Sequence, residues 1–172
     1  MMKLKYFLLA MALSACANTP KEQNQNGEFF FQQATEAEER ADFKQSFELY
    51  KKSCDSNYYK ACYMLSSFYA SGAFDTPKDI SKSISLQEKA CHGNYAQSCA
   101  TLGLLYRNGS IIPRDYTNAK KYFQKACDLG HQESCNDYEN LVNGKFDTML
   151  KAIESAKKNG KLEKLKETLK NK

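Results

Sequence analysis

The apolar positions recur at helical spacing in short runs separated by turn residues. Cys99, Leu102, Leu105 and Tyr106 fall on one helical face, and Gly109 ends the run. Tyr116, Ala119, Tyr122, Phe123 and Ala126 form the next face, with Asp115 placed to cap it. The same order appears one step earlier: Leu65, Tyr69 and Gly72 match Leu102, Tyr106 and Gly109, and Pro77-Lys78-Asp79 matches Pro113-Arg114-Asp115. Each unit therefore reads as two short amphipathic helices joined by a tight loop, an αα-hairpin. One hairpin has nothing to bury its apolar stripe against, so neighbours must stack. Weaker copies extend both ways. Residues 29–39 and 42–54 read as an upstream hairpin. Residues 135–143 and then Phe146, Met149, Leu150, Ile153 and Ala156 read as a downstream one, followed by a last helix carrying Leu162, Leu165 and Leu169.

Cysteines mark the same ruler. Cys54/Cys62, Cys91/Cys99 and Cys127/Cys135 are each eight apart, and the pairs step by 37 and then 36 residues. A period of that size is the mark of a stacked repeat. The one-residue difference falls between the glycine and the proline, where a loop tolerates it. In one straight helix, residues eight apart are separated by about 12 Å, too far for a disulfide. Each pair must straddle a turn, and the sequence supplies one each time: Asp55-Ser56-Asn57, His92-Gly93-Asn94 and Asp128-Leu129-Gly130. Three bridges are expected, each tying the end of one helix to the start of the next. Free buried thiols or a metal site compete with this reading, but the spacing is a poor zinc pattern without a C-x-x-C.

The beginning of the chain predicts export. Met1 to Lys5 is a short basic region, and residues 6–13 (YFLLAMAL) are apolar but too short to span a bilayer. Leu13-Ser14-Ala15-Cys16 resembles a bacterial lipobox, which implies cleavage before Cys16 and acylation of its thiol and amine. Ala17 rather than aspartate follows, which by resemblance to bacterial sorting signals implies the outer membrane, on its periplasmic or outer side. Residues 1–15 are then a signal peptide, 16–28 a lipidated N-terminus with a flexible tether, and 29–172 the repeat domain. With Cys16 lipidated, six of the seven cysteines remain, an even number.

Composition narrows the function classes. Loss of Lys3 and Lys5 with the leader lowers the net charge from +5 to +3, too little to argue for a nucleic-acid partner. Residues 145–172 hold nine lysines against four acids. They read as a polar cap sealing the stack, with contact to anionic headgroups as the competing reading. No P-loop, G-x-G-x-x-G or nucleophile elbow occurs, and His92 and His131 are the two histidines, both near turns. No cofactor and no metal are expected.

The pattern Leu102-Gly103-x-x-Tyr106-x-x-Gly109, then Asp115-Tyr116-x-x-Ala119-x-x-Tyr122-Phe123-x-Lys125-Ala126-Cys127, resembles the Sel1-like repeat, a relative of the tetratricopeptide repeat. The eight-apart cysteines resemble the Helicobacter cysteine-rich protein family within it. The likeness spans about residues 29–156 and departs at Ser66, where glycine is usual, and at Val142. It implies an all-α, right-handed α/α superhelix of about four disulfide-stapled hairpins, with a concave groove lined by the first helix of each unit. By similarity to tetratricopeptide proteins, groove positions are Lys60, Tyr63, Ser67 and Ala70; Gln97, Ala100, Leu104 and Arg107; and Glu133, Asn136, Asn140 and Asn143. Asparagines there suit a peptide backbone, and Lys60 and Arg107 suit a carboxylate. The expected role is an envelope-anchored binding scaffold for a protein, peptide or cell-wall fragment. The cysteine-rich family also implies penicillin binding with weak β-lactamase activity. The residues supply no independent support: S-x-x-K occurs once, at Ser155-Ala156-Lys157-Lys158, and neither S-D-N nor K-T-G occurs.

Overall fold

The computed structural model describes residues 20–144 together with Thr148, Lys151, Ser155 and Lys157. The helices with both ends among residues 20–144 are α1 Pro20–Glu39, α2 Phe43–Asp55, α3 Tyr59–Ser71, α4 Ile80–His92, α5 Ala96–Asn108, α6 Tyr116–Asp128 and α7 Gln132–Val142; Thr148, Lys151, Ser155 and Lys157 are helical beyond them. No strand occurs among the described residues. The chain divides into two compact units, one ending at Ser98 and the other beginning at Cys99.

Helix starts are set by carboxylates, at Asp115 and its counterpart Asp79 as expected and at Asp42 as well. Asp42, Asp79 and Asp115 cap α2, α4 and α6, accepting from the amides of Gln45, Lys82, and Thr117 with Asn118 respectively. The hydrogen bond from the Asn118 amide is the main force holding the Asp115 carboxyl below its usual pKa; desolvation opposes it, and the Asn118 side chain and Thr117 amide assist. A depressed folded-state pKa stabilises above the unfolded-state value, and that stability is lost as pH falls through the folded one. Asp115→Ala is therefore expected to lower the melting temperature at neutral pH, by a margin that shrinks on acidification. Parallel thermal melts of the two proteins across pH check this.

Every junction between repeats uses the same turn. Asn57, Asn94 and Gly130 take positive φ of 62°, 65° and 91°. Their amides donate to the carbonyls of Cys54, Cys91 and Cys127, and the next amides, of Tyr58, Tyr95 and His131, donate to Ser53, Ala90 and Ala126. This left-handed C-terminal turn reverses the chain and brings the cysteines together. Cys54–Cys62 joins α2 to α3 with Cα atoms 4.7 Å apart, and Cys127–Cys135 joins α6 to α7 at 4.8 Å. Cys91 and Cys99 are each disulfide-bonded.

In the first unit α1 packs on α2, α2 on α3, and α3 on α4. Phe31, Ala34, Tyr50, Leu65, Phe68, Leu86 and Ala90 fill the core with the Cys54–Cys62 bridge. Tyr50 is fully buried, and its hydroxyl donates to Glu38 at 2.8 Å, so the polar tip is satisfied where the ring is hidden. In the second unit Leu102, Ala119, Phe123 and Ala126 are fully buried, the Tyr106 and Tyr122 rings stack, and α6 packs on α7.

Ser66, the departure from the repeat pattern, has a counterpart. At the equivalent place in the second unit a Cβ on Gly103 would lie 2.6 Å from the Phe123 ring. The position equivalent to Phe123 in the first unit is Gln87, whose Nε2 donates to Ser66 Oγ at 2.6 Å. One unit fills the space with glycine against phenylalanine, the other with a buried polar pair.

One sequence expectation is corrected. Residues 16–28 read as a flexible tether, yet α1 begins at Pro20, where the missing amide hydrogen costs a helix nothing. Gly27 is buried; its carbonyl accepts from Ser53 Oγ at 2.6 Å, and a Cβ on it would lie 2.7 Å from Tyr58 Cβ. This end of the helix docks through glycine backbone, which leaves no apolar signal in the polar run 17–27. Cys16 and the helix expected at 162–169 lie outside the described residues, as do Phe146 and Met149 of the helix expected at 146–156.

Candidate binding faces

The predicted groove positions are held on α3, α5 and α7, whose first turns are fixed by the disulfide junctions. In the first unit Lys60, Ser67 and Gln97 are exposed, while Tyr63 and Ala70 are half-buried. The Lys60 ammonium lies 4.8 Å from the Phe31 ring centre, a cation–π contact that steadies it on the α1 side. The Tyr63 and Tyr95 rings pack at 5.5 Å. Burial pushes the Tyr95 hydroxyl above its ordinary pKa, with Tyr63 and then Tyr58 adding repulsion. Beside Ser67 a concavity of about 190 Å³ is lined by Glu38, Met64, Phe68, Ser71 and Phe74. Met64 and Phe74 were missed by sequence reasoning: Phe74 sits in a loop, outside any periodic pattern.

In the second unit Leu104 is at the edge of exposure, Glu133, Asn136 and Asn143 are exposed, and Asn140 is half-buried. Asn143 also ends α7, its amide donating to Glu139. Arg107 differs from expectation in being engaged. Its guanidinium pairs with Asp137 and lies 5.5 Å from the Phe123 ring centre, which ties α5 to α7. Ala100, read as groove-facing, is only 2% exposed and belongs to the core; the alanine at that register carries too little side chain to reveal which face it serves. Lys60 and Ser67 share α3 in the first unit, and Asn136 and Asn140 share α7 in the second, with Asn143 at its end.

His131 caps α7, its Nδ1 accepting from the Ser134 amide at 3.3 Å, and His92 closes α4. Among the described residues no group of three or more His, Cys, Asp or Glu is placed to hold a metal ion, and no helix is long and apolar enough to cross a membrane. In the S-x-x-K motif Ser155 is exposed on a helix, and Lys158 lies outside the described residues.

The Sel1 repeat profile matches residues 27–58, 60–95 and 96–131. Among solved structures, a Sel1 repeat protein from Oxalobacter formigenes superposes with a TM-score of 0.60 at 19% identity, over 70% of this chain and 95% of its own. Cysteine rich protein B of Helicobacter pylori superposes with a TM-score of 0.53 at 25% identity, over 70% of this chain and 97% of its own. No curated protein matches the chain. The all-α solenoid class expected from the repeat pattern is the fold these structures share.

Proposed function

We propose that this chain, which belongs to the Sel1 repeat family, is an exported, lipid-anchored scaffold that binds a polypeptide partner through the faces of its first helices. The observation that carries this reading is that Lys60, Ser67, Gln97, Asn136 and Asn140 leave hydrogen-bonding groups at least partly open to solvent on helices whose ends are covalently fixed. Within each unit a helix face fixed by its own bridge loses little conformational freedom on binding, so modest polar contacts suffice for affinity. Disulfides persist in oxidising compartments, which supports export. The basic, apolar and small-residue order before Cys16 supports acylation, and several acyl chains together anchor stably.

A photo-crosslinking residue placed at Ser67 or Asn140 of the native lipoprotein is expected to capture a polypeptide. The same probe at exposed Lys82 or Gln124, on second helices, is expected to capture far less. Equal capture at all four positions contradicts the first-helix reading. Hydrolysis of a chromogenic β-lactam by the purified mature protein, persisting in Ser155→Ala and lost on substitution of the first-helix faces, would replace it with an enzymatic one. Acylation is tested separately: labelled palmitate is expected in the intact protein and absent from Cys16→Ala.

A further inference from the structure

The loops of the second and third hairpins differ by one residue, and that residue changes the surface. Three residues, 110–112, lie between Gly109 and Pro113; four, 73–76, lie between Gly72 and Pro77. Loop 109–115 takes positive φ at Gly109. Loop 72–79 takes it at Gly72 and also at Phe74 and Asp75, with φ of 55° and 60°. Bulky residues avoid this region unless their surroundings hold them there, and such outliers cluster at binding sites. Here the Phe74 ring is stacked on Phe43 with centroids 3.6 Å apart, while the amides of Thr76 and Asp79 donate to Ala73 and Tyr69. The ring nevertheless stays 52% exposed.

The longer loop borders a cleft of about 540 Å³ between α2, the end of α3 and the loop. Phe47, Tyr69 and Phe74 supply aromatic surface, and Glu48, Asp75 and Asp79 supply carboxylates. Asp79 is occupied in capping α4, whereas Glu48 and Asp75 have neither an ion pair nor a hydrogen bond among the described residues. Lys44 is the one cation in the lining, so the cleft is net acidic in a chain of net charge +5. Aromatic faces attract a cation through their quadrupole, and free carboxylates add charge-assisted hydrogen bonds. An anionic group would meet repulsion from the same walls.

We infer that this loop builds a receptor for a cationic side chain, arginine or lysine, presented by a partner polypeptide. The cleft adds a second site to the first unit, sharing Phe74 with the concavity beside Ser67.

Calorimetric titration of the mature protein with the capped tripeptide Gly-Arg-Gly tests it, with the citrulline tripeptide and chitotriose as controls. Saturable binding of the arginine peptide is expected, weaker by about tenfold or more for citrulline, which keeps the shape and loses the charge. Glu48→Gln with Asp75→Asn, and separately Phe74→Ala, are each expected to weaken it several-fold while leaving the melting profile cooperative. Deletion of Asp75, which gives the loop the length of its counterpart, is expected to abolish it. The proposal is overturned if the arginine peptide does not bind, if citrulline binds equally, if chitotriose displaces the peptide, or if binding survives these substitutions in folded protein.

Discussion

Complete reduction of the disulfides is expected to unfold the repeats at ambient temperature. Each bridge closes a loop of nine residues, which on the chain-entropy model is worth about 2.6 kcal/mol. Three together amount to about 8 kcal/mol, set against a total stability of about 5–15 kcal/mol for an ordinary domain. A stack of hairpins has little else to spread the loss over, because each unit packs only on its neighbours. The bridges differ in access. Cys54, Cys62, Cys91 and Cys99 are 1% exposed or less, whereas Cys127 and Cys135 are only half-buried. Since exchange needs a thiolate to reach a sulfur, mild reductant is expected to open Cys127–Cys135 first. Circular dichroism with timed alkylation and mass analysis reads both effects. Retention of helicity after full reduction, or opening of the buried pairs first, would contradict this ordering.

Phe123→Ala is expected to cost about 3–5 kcal/mol, the usual range for emptying a fully buried aromatic site. Its ring fills the space beside Gly103, rests under the Arg107 guanidinium and has no solvent exposure. Gly103→Ser alone is expected to cost about 1–3 kcal/mol through overpacking, because a Cβ there meets the ring at 2.6 Å. The first unit shows how the two changes go together: Ser66 and Gln87 occupy the same places and hydrogen-bond to each other. The double variant Gly103→Ser with Phe123→Gln is therefore expected to be more stable than the sum of its single variants predicts, by about 1–3 kcal/mol. Chemical denaturation of the four proteins measures that coupling. Strict additivity would mean that the serine–glutamine pair does not transfer between units.

The parts of the fold visible in the sequence are those governed by local chemistry. Carboxylates at Asp42, Asp79 and Asp115, left-handed turns at Asn57, Asn94 and Gly130, and cysteines flanking those turns all act within a few residues of themselves. Contacts made across the fold left weaker traces. Gly27 docks by backbone, so α1 extends into a run that looks unstructured. The Arg107–Asp137 pair joins residues thirty apart with no pattern to announce it. Ser66 looks like a defect until Gln87 is seen beside it. The longer loop looks like slack, because nothing in the residues 73–76 foretells that Phe74 is held over Phe43. Of the candidate faces, the register along each first helix was legible. Which of its polar groups were already engaged was not.

Peptide mapping of the non-reduced mature protein, digested at acid pH to suppress exchange, tests most directly whether local bridges frame these faces. The expected linked fragments join Cys54 to Cys62, Cys91 to Cys99, and Cys127 to Cys135, with no free thiol among the six. A bridge between non-adjacent junctions, such as Cys62 to Cys127, or a substantial fraction of free cysteine, would contradict the stapled-repeat frame on which the binding faces depend.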